Sequence, residues 1–219
     1  MKLFADSANI AELESVLTRG LVRGVTTNPT TLKAETAGDP VSHLRKIVGL
    51  LEKDGREFPL SVQVMARTPD EMSRHARVIS DALGYKSLIV KIPCEWDSLR
   101  VIHDLTANGA QVNATACMTV AQGLLAAQAG ARYVSFFAGK MSDAGMDPRR
   151  VIADTAPLIQ EHGTEIIVGS LRRAYDVTDF ASAGAHVVTV PPRFFGLLAE
   201  HPKTAEAVDL FAECFLPLS

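Results

Sequence analysis

The 219-residue sequence predicts a (β/α)8 barrel followed by one extra C-terminal helix. Three observations carry that expectation. Eight short apolar runs alternate with longer helical patterns from end to end. The signals that open helices fall in the gaps between the runs. Polar residues recur at the same end of successive runs.

The runs are KLFAD (2–6), GVTT (24–27), LSVQV (60–64), SLIVKI (87–92), QVNAT (111–115), YVSFF (133–137), TEIIVG (164–169) and HVVTV (186–190). Most are bounded by Gly, Pro or a capping residue, as buried parallel strands are. Helical periodicity occupies 68–83, 95–108, 119–129 and 172–183. Thr68-Pro69-Asp70-Glu71 reads as an N-cap, a proline at the first helical position and acids in the first turn. Asn28-Pro29, Asp39-Pro40 and Asp147-Pro148 open further segments in the same way. PPRFFGLLAEH after the eighth run supplies the eighth helix. A ninth spans about 202–215, with Ala205, Val208, Leu210, Phe211 and Phe215 as apolar positions that pack on the barrel or on a neighbouring subunit. Alternation alone also fits an open doubly wound sheet; the count of eight and the length favour closure. No linker or low-complexity tract divides the chain, so residues 1–219 read as one domain.

Composition narrows the function. Hydrophobic residues make up 47% and charged residues 21%, enough for one large core. The formal net charge of -3 provides no basic field for nucleic acid or acidic membranes. No apolar stretch reaches the length of a membrane helix, and MKLFADSANI lacks the apolar run of a signal peptide. Cys94, Cys117 and Cys214 form no CxxC pair, and the six histidines lack metal-ligand spacing. A reducing cytoplasm and a metal-free site are the expectations.

In such barrels the site is built from the C-terminal strand ends. Those ends carry Asp6, Thr26-Thr27-Asn28, Gln63, Lys91, Asn113 with Thr115, Ser135 and Ser170. A buried strand has little reason to carry polar groups at all. Lys91 is the sharpest, flanked by Ser87-Leu88-Ile89-Val90 and Ile92-Pro93. Desolvation lowers the pKa of such a lysine, and a neutral amine attacks a ketone to give a Schiff base. Its bland reading is a structural ion pair, or a side chain snorkelling from the barrel mouth. Asp6 suits proton transfer opposite Lys91, or the cap of the helix near Ser7. Gln63 suits orientation of a water or hydroxyl, or support of a neighbouring loop. Gly139-Lys140 and Gly169-Ser170-Leu171-Arg172-Arg173 suit an anion where a helix begins. The alternative is that Arg172 and Arg173 are ordinary solvated residues, the reading preferred for Arg173. Cys94 and Cys117 read as small packing residues.

Seven stretches, in order, resemble the transaldolase family, and in particular its short subfamily that includes fructose-6-phosphate aldolase. They are FADSA (4–8), GVTTNPT (24–30), SVQVMA (61–66), VKIP (90–93), VNATA (112–116), YVSFFAGK (133–140) and GSLR (169–172). VTTNP and VKIP together are specific. The resemblance implies a (β/α)8 barrel with Lys91 as the Schiff-base lysine and Asp6 as general acid/base. It implies Thr26 and Asn28 as contacts to substrate hydroxyls, and Thr115 as the residue that places a catalytic water. Asn113 and Ser135 would line the dihydroxyacetone end, and Ser170 and Arg172 would hold a phosphate. It further implies sugar-phosphate substrates, a role in carbohydrate metabolism and the pentose phosphate pathway, no cofactor, and a homo-oligomer. Subfamily members often form decamers of two stacked five-membered rings, with the C-terminal helix on a neighbour.

The sequence departs from that pattern at several positions. Phe136 stands where the family usually has proline. Lys140 replaces an arginine phosphate ligand, giving a point charge in place of a bidentate fork. Gln63 looks like the aldolase, whereas Phe137 and Asn113 look like the transaldolases. Phe137 has no hydroxyl to protonate an enamine, which favours group transfer. Four activities therefore stand: a transaldolase; an aldolase releasing free dihydroxyacetone; a variant acting on a differently anionic sugar, such as a sulfonate; and, least favoured, a non-catalytic sugar-phosphate-binding barrel.

Overall fold

The computed structural model describes residues 1–36 and 38–214. Eight parallel strands close into a barrel in sequence order. They are β1 Lys2–Asp6, β2 Val25–Thr26, β3 Leu60–Gln63, β4 Leu88–Pro93, β5 Gln111–Cys117, β6 Tyr133–Phe137, β7 Glu165–Gly169 and β8 Val187–Val190. Closure rests on β8 pairing with β1, with Ala5 opposite Val190. This excludes the open sheet.

Among the described residues, eleven α-helices lie outside the strands: α1 Ile10–Leu17, α2 Pro29–Glu35, α3 Pro40–Asp54, α4 Pro69–Leu83, α5 Trp96–Ala107, α6 Val120–Gln128, α7 Ala138–Asp143, α8 Pro148–Ile159, α9 Asp176–Ser182, α10 Arg193–Ala199 and α11 Pro202–Glu213. The sequence signals work as read. Thr68 accepts from Glu71 N while Glu71 reaches back to Thr68 N, a capping box with Pro69 in the first turn. Asn28, Asp39 and Asp147 cap α2, α3 and α8 through side-chain oxygens.

Two segments differ from the expectation. The helix foreseen over 172–183 begins only at Asp176. The Asp176 carboxylate accepts from Arg172 N and Arg173 N at 2.9 Å each, which ties residues 172–175 into a turn before α9. Helix α7 is short and has no side-chain cap, so nothing in AGKMSD announced it.

Strand alternation separates two cores. Outward residues such as Val62, Val90, Ile92, Val112, Val134 and Val168 pack against helix residues such as Ile47, Leu51, Ile102 and Ile152. Inside the barrel, Phe4, Ile89, Tyr133, Ile167 and Val187 form a separate plug. Each fully buried side chain of this size contributes about 1.5–3 kcal/mol. Gly24 makes the plug possible, because a Cβ there would lie 2.6 Å from the Phe4 ring. The polar residues that follow Phe4 and Ile89 by two positions, Asp6 and Lys91, therefore sit on an apolar floor.

Helix α11 buries none of its residues, and Val208, Leu210 and Phe211 are exposed. It does not pack on its own barrel. Phe215 lies outside the described residues.

Candidate active site

At the C-terminal end of the strands is a cavity of about 520 Å³, within the range of small-molecule sites. Asp6, Thr26, Asn28, Gln63, Lys91, Ser135, Phe137, Lys140 and Ser170 all line it. Nine of the twelve side chains singled out from sequence are thus brought to one space. Asn113 and Thr115 lie beside it, fully buried. Arg172 is not on its wall.

Lys91 is buried, and its Nζ donates to the Thr27 carbonyl oxygen at 2.9 Å. Burial pushes the ammonium pKa down from 10.5 to about 8, against the opposing pull of Asp6. Among the described residues Lys91 makes no ion pair within 4 Å. That removes the structural-pair reading, and its burial removes the snorkelling one.

Asp6 is not a helix cap; Asn9 caps α1 by accepting from Glu12 N. Burial raises the Asp6 pKa. The Lys91 charge, hydrogen bonds from Thr26 and Asn28, and the Arg193 guanidinium work in the opposite direction, in that order. The lysine is therefore shifted toward its neutral form and the carboxylic acid toward retention of its proton. Two such groups at one cavity suit proton transfer.

Other side chains surround this pair. Ser135 Oγ donates to Asn113 Oδ1 at 2.7 Å. Asn113 Nδ2 and Thr115 Oγ1 are buried without a partner among the described residues. Buried polar groups are ordinarily satisfied, so both are open to a water or a substrate hydroxyl. Strand β5 slips register between Ala114 and Cys117, and Ala116 adopts φ 61°. A bulge of this kind re-aims side chains at a site.

The anion end is arranged differently from the expectation. Ser170 adopts φ 61° and lines the cavity, and Gly139 N donates to its carbonyl at 2.9 Å. A Cβ at Gly139 would lie 2.3 Å from that oxygen, so this approach requires glycine. Lys140 is exposed at the rim and is the cation that lines this side of the cavity. Arg172 pairs with Asp143 instead, and its backbone N–H is occupied by Asp176. Arg173 stacks over Tyr175 with its guanidinium 4.2 Å from the ring centroid, as a solvated residue does. Cys94 and Cys117 are buried and do not line the cavity.

Two residues of the site were missed. Thr189 lines the cavity from β8 and contacts Thr26 Oγ1 at 2.6 Å. Its signal was present in HVVTV, the one strand to which no polar end residue was assigned. Arg193, at the start of α10, places its charge close enough to Asp6 to affect it. Among the described residues, no group of three or more His, Cys, Asp or Glu side chains is arranged to hold a metal ion. Among the described residues no helix is long and apolar enough to cross a membrane.

A family model described as transaldolase/fructose-6-phosphate aldolase matches residues 3–216. The chain belongs to this family. It is 37% identical over 213 residues to a probable transaldolase of Symbiobacterium thermophilum, covering 96% of this chain and 95% of that protein. It is equally similar, at 37% over 213 residues, to probable transaldolase 2 of Listeria monocytogenes, covering 96% of this chain and 94% of that one. A probable transaldolase of Streptococcus equi subsp. zooepidemicus is 37% identical over 215 residues, covering 97% of each chain. Family membership supports an enzyme of the transaldolase or aldolase type.

Proposed function

We propose that the protein is a Schiff-base transaldolase. It moves a dihydroxyacetone unit from a ketose phosphate such as fructose 6-phosphate to an aldose phosphate. The observation that carries this reading is Lys91: an amine buried on an apolar floor, with its pKa near 8, facing Asp6 across one cavity.

The neutral Lys91 amine adds to the C2 carbonyl of the ketose, and loss of water gives an iminium. Asp6 takes the proton of the C4 hydroxyl. The C3–C4 bond breaks, the aldose leaves, and the bonding pair is held as an enamine on Lys91. The enamine carbon attacks the aldehyde of the acceptor, and Asp6 returns its proton to the new hydroxyl. Water then hydrolyses the iminium and frees Lys91. Thr26 and Asn28 hold the carboxylate and contact substrate hydroxyls. Asn113 and Ser135 line the dihydroxyacetone end, and Thr115, with its unpartnered hydroxyl, holds the reacting water. Lys140 and Ser170 take the phosphate, and Arg172 joins them only by leaving Asp143.

Phe137 lines the cavity and has no proton to give the enamine. The enamine therefore waits for an aldehyde. Gln63, also on the cavity wall, favours the second reading, an aldolase that releases free dihydroxyacetone. Turnover of fructose 6-phosphate with and without erythrose 4-phosphate separates the two. Transfer predicts product only with the acceptor; free dihydroxyacetone at the same rate without it supports the aldolase. Inactivity of wild type on sugar phosphates, with turnover of a sulfonated sugar, would redefine the anion at Lys140. Wild-type activity that is lost in Lys91→Met excludes the non-catalytic binding barrel.

The chain works as one barrel domain in the cytoplasm and self-associates through α11. Its exposed Val208, Leu210 and Phe211 lack a partner within the described chain.

A further inference from the structure

Thr189 has a place in the fold that points to more than packing. It follows Val187 by two residues in β8, so both face the barrel interior, Val187 in the plug and Thr189 above it. It is buried yet lines the cavity. Gly169 on the adjacent strand leaves room for its methyl. A Cβ at Gly169 would lie 3.0 Å from the Thr189 methyl, so the glycine accommodates the methyl there. The hydroxyl meets Thr26 Oγ1 at 2.6 Å, and Thr26 Oγ1 donates to Asp6 Oδ1 at 3.1 Å.

A threonine hydroxyl has one proton. Thr26 commits its proton to Asp6, so the short contact requires that Thr189 donate to Thr26. The chain then runs Thr189 to Thr26 to Asp6, a direction that fits an ionised carboxylate. Once Asp6 has taken the substrate proton, the order can reverse: Asp6 donates to Thr26, Thr26 to Thr189, and the Thr189 proton turns into the cavity. No net charge moves along the chain; each hydroxyl rotates. Hydrogen bonds in such a chain polarise one another.

We propose that Thr189 is a positioning residue for proton transfer at Asp6, acting through Thr26 to fix the direction of the hydroxyl proton that the carboxylate accepts. This rests on the Schiff-base reading of Lys91 and Asp6. Four other groups bear on Asp6: Lys91 from β4, Thr26 and Asn28 from β2 and the turn after it, and Arg193 from α10. Of these, Thr26 is the group hydrogen-bonded to Thr189.

The test is Thr189→Val, which keeps the branched shape and removes the hydroxyl, with Thr189→Ser to restore it. In Thr189→Val, kcat for transfer falls about three- to tenfold, the range expected for one hydrogen bond. KM stays within about twofold. With less support for the carboxylate, the acidic limb of the kcat profile moves to higher pH. Borohydride trapping of ketose on Lys91 proceeds in Thr189→Val as in wild type, because the amine is untouched. Thr189→Ser recovers both kcat and the acidic limb. A Thr189→Val protein with wild-type kcat and acidic limb overturns the proposal. So does a loss that serine fails to rescue, since that marks a packing role. If wild type itself traps nothing on Lys91, the Schiff-base reading falls first, and the Thr189 assignment with it.

Discussion

The two ends of this barrel each bring a lysine and a carboxylate together, with opposite results. At the N-terminal end, Lys2 Nζ meets Glu165 at 2.8 Å and Arg132 meets the same carboxylate at 3.1 Å. The Lys2 side chain is 44% exposed, so water shares the charge. At the C-terminal end, Lys91 is 5% exposed and donates to a carbonyl instead of forming an ion pair, and Asn113 and Thr115 keep unpartnered polar atoms. One end satisfies its charges; the other withholds partners from them. Unsatisfied polarity costs stability and leaves capacity for a substrate.

The largest effect that tests this contrast is at the lysines. Lys91→Met should lower transfer activity by about 10⁴-fold or more, as loss of a nucleophile does. It should also stabilise the protein by about 1–3 kcal/mol at pH 7, because a depressed lysine pKa is a cost of folding, offset in part by the loss of a partner for Asp6. The sign with pH follows. The charged amine is disfavoured in the fold, so the penalty is complete below about pH 8 and fades as pH rises toward 10.5. The melting advantage of Lys91→Met should shrink over that window. Lys2→Met should leave activity within about twofold and cost at most about 1 kcal/mol, the scale of an exposed pair. Equal effects on activity at the two lysines would break the comparison.

The carboxylates come next. Asp6→Asn keeps the size and hydrogen-bonding capacity but removes the acid/base, and should lower kcat by about 10²–10⁴-fold. Glu165→Gln should leave kcat near wild type, as measured by steady-state transfer assays. Thr115→Val should have a smaller effect than Asp6→Asn, about tenfold in kcat, with thermal stability unchanged or slightly raised because a buried hydroxyl without a partner is removed. A large loss of stability there would mean that Thr115 is held by the protein itself.

Much of this was legible in the sequence. Apolar runs bounded by breakers gave the eight strands to within a residue or two, because fully buried parallel strands tolerate little else. Lys91 stood out because a lysine between Val90 and Ile92 has few structural explanations. Barrel closure was not written in any local pattern, since the β1–β8 pairing joins residues 2–5 to 187–190. Thr189 escaped because threonine is also a good strand former, and VVTV reads as ordinary β-branched filling. Arg193 escaped because its effect on Asp6 depends on where α10 starts. Arg172 looked like an anion ligand, but its pairing with Asp143, 29 residues earlier, depends on the end of α7 meeting the turn after β7 in space.

Reductive trapping with mass mapping tests the central claim most directly. Borohydride added to the protein with fructose 6-phosphate should leave a reduced three-carbon or ketose adduct on the peptide carrying Lys91. The trapping rate should rise with pH and level off above an apparent pKa near 8. An unmodified Lys91 peptide in a protein that turns the sugar over efficiently would contradict the account.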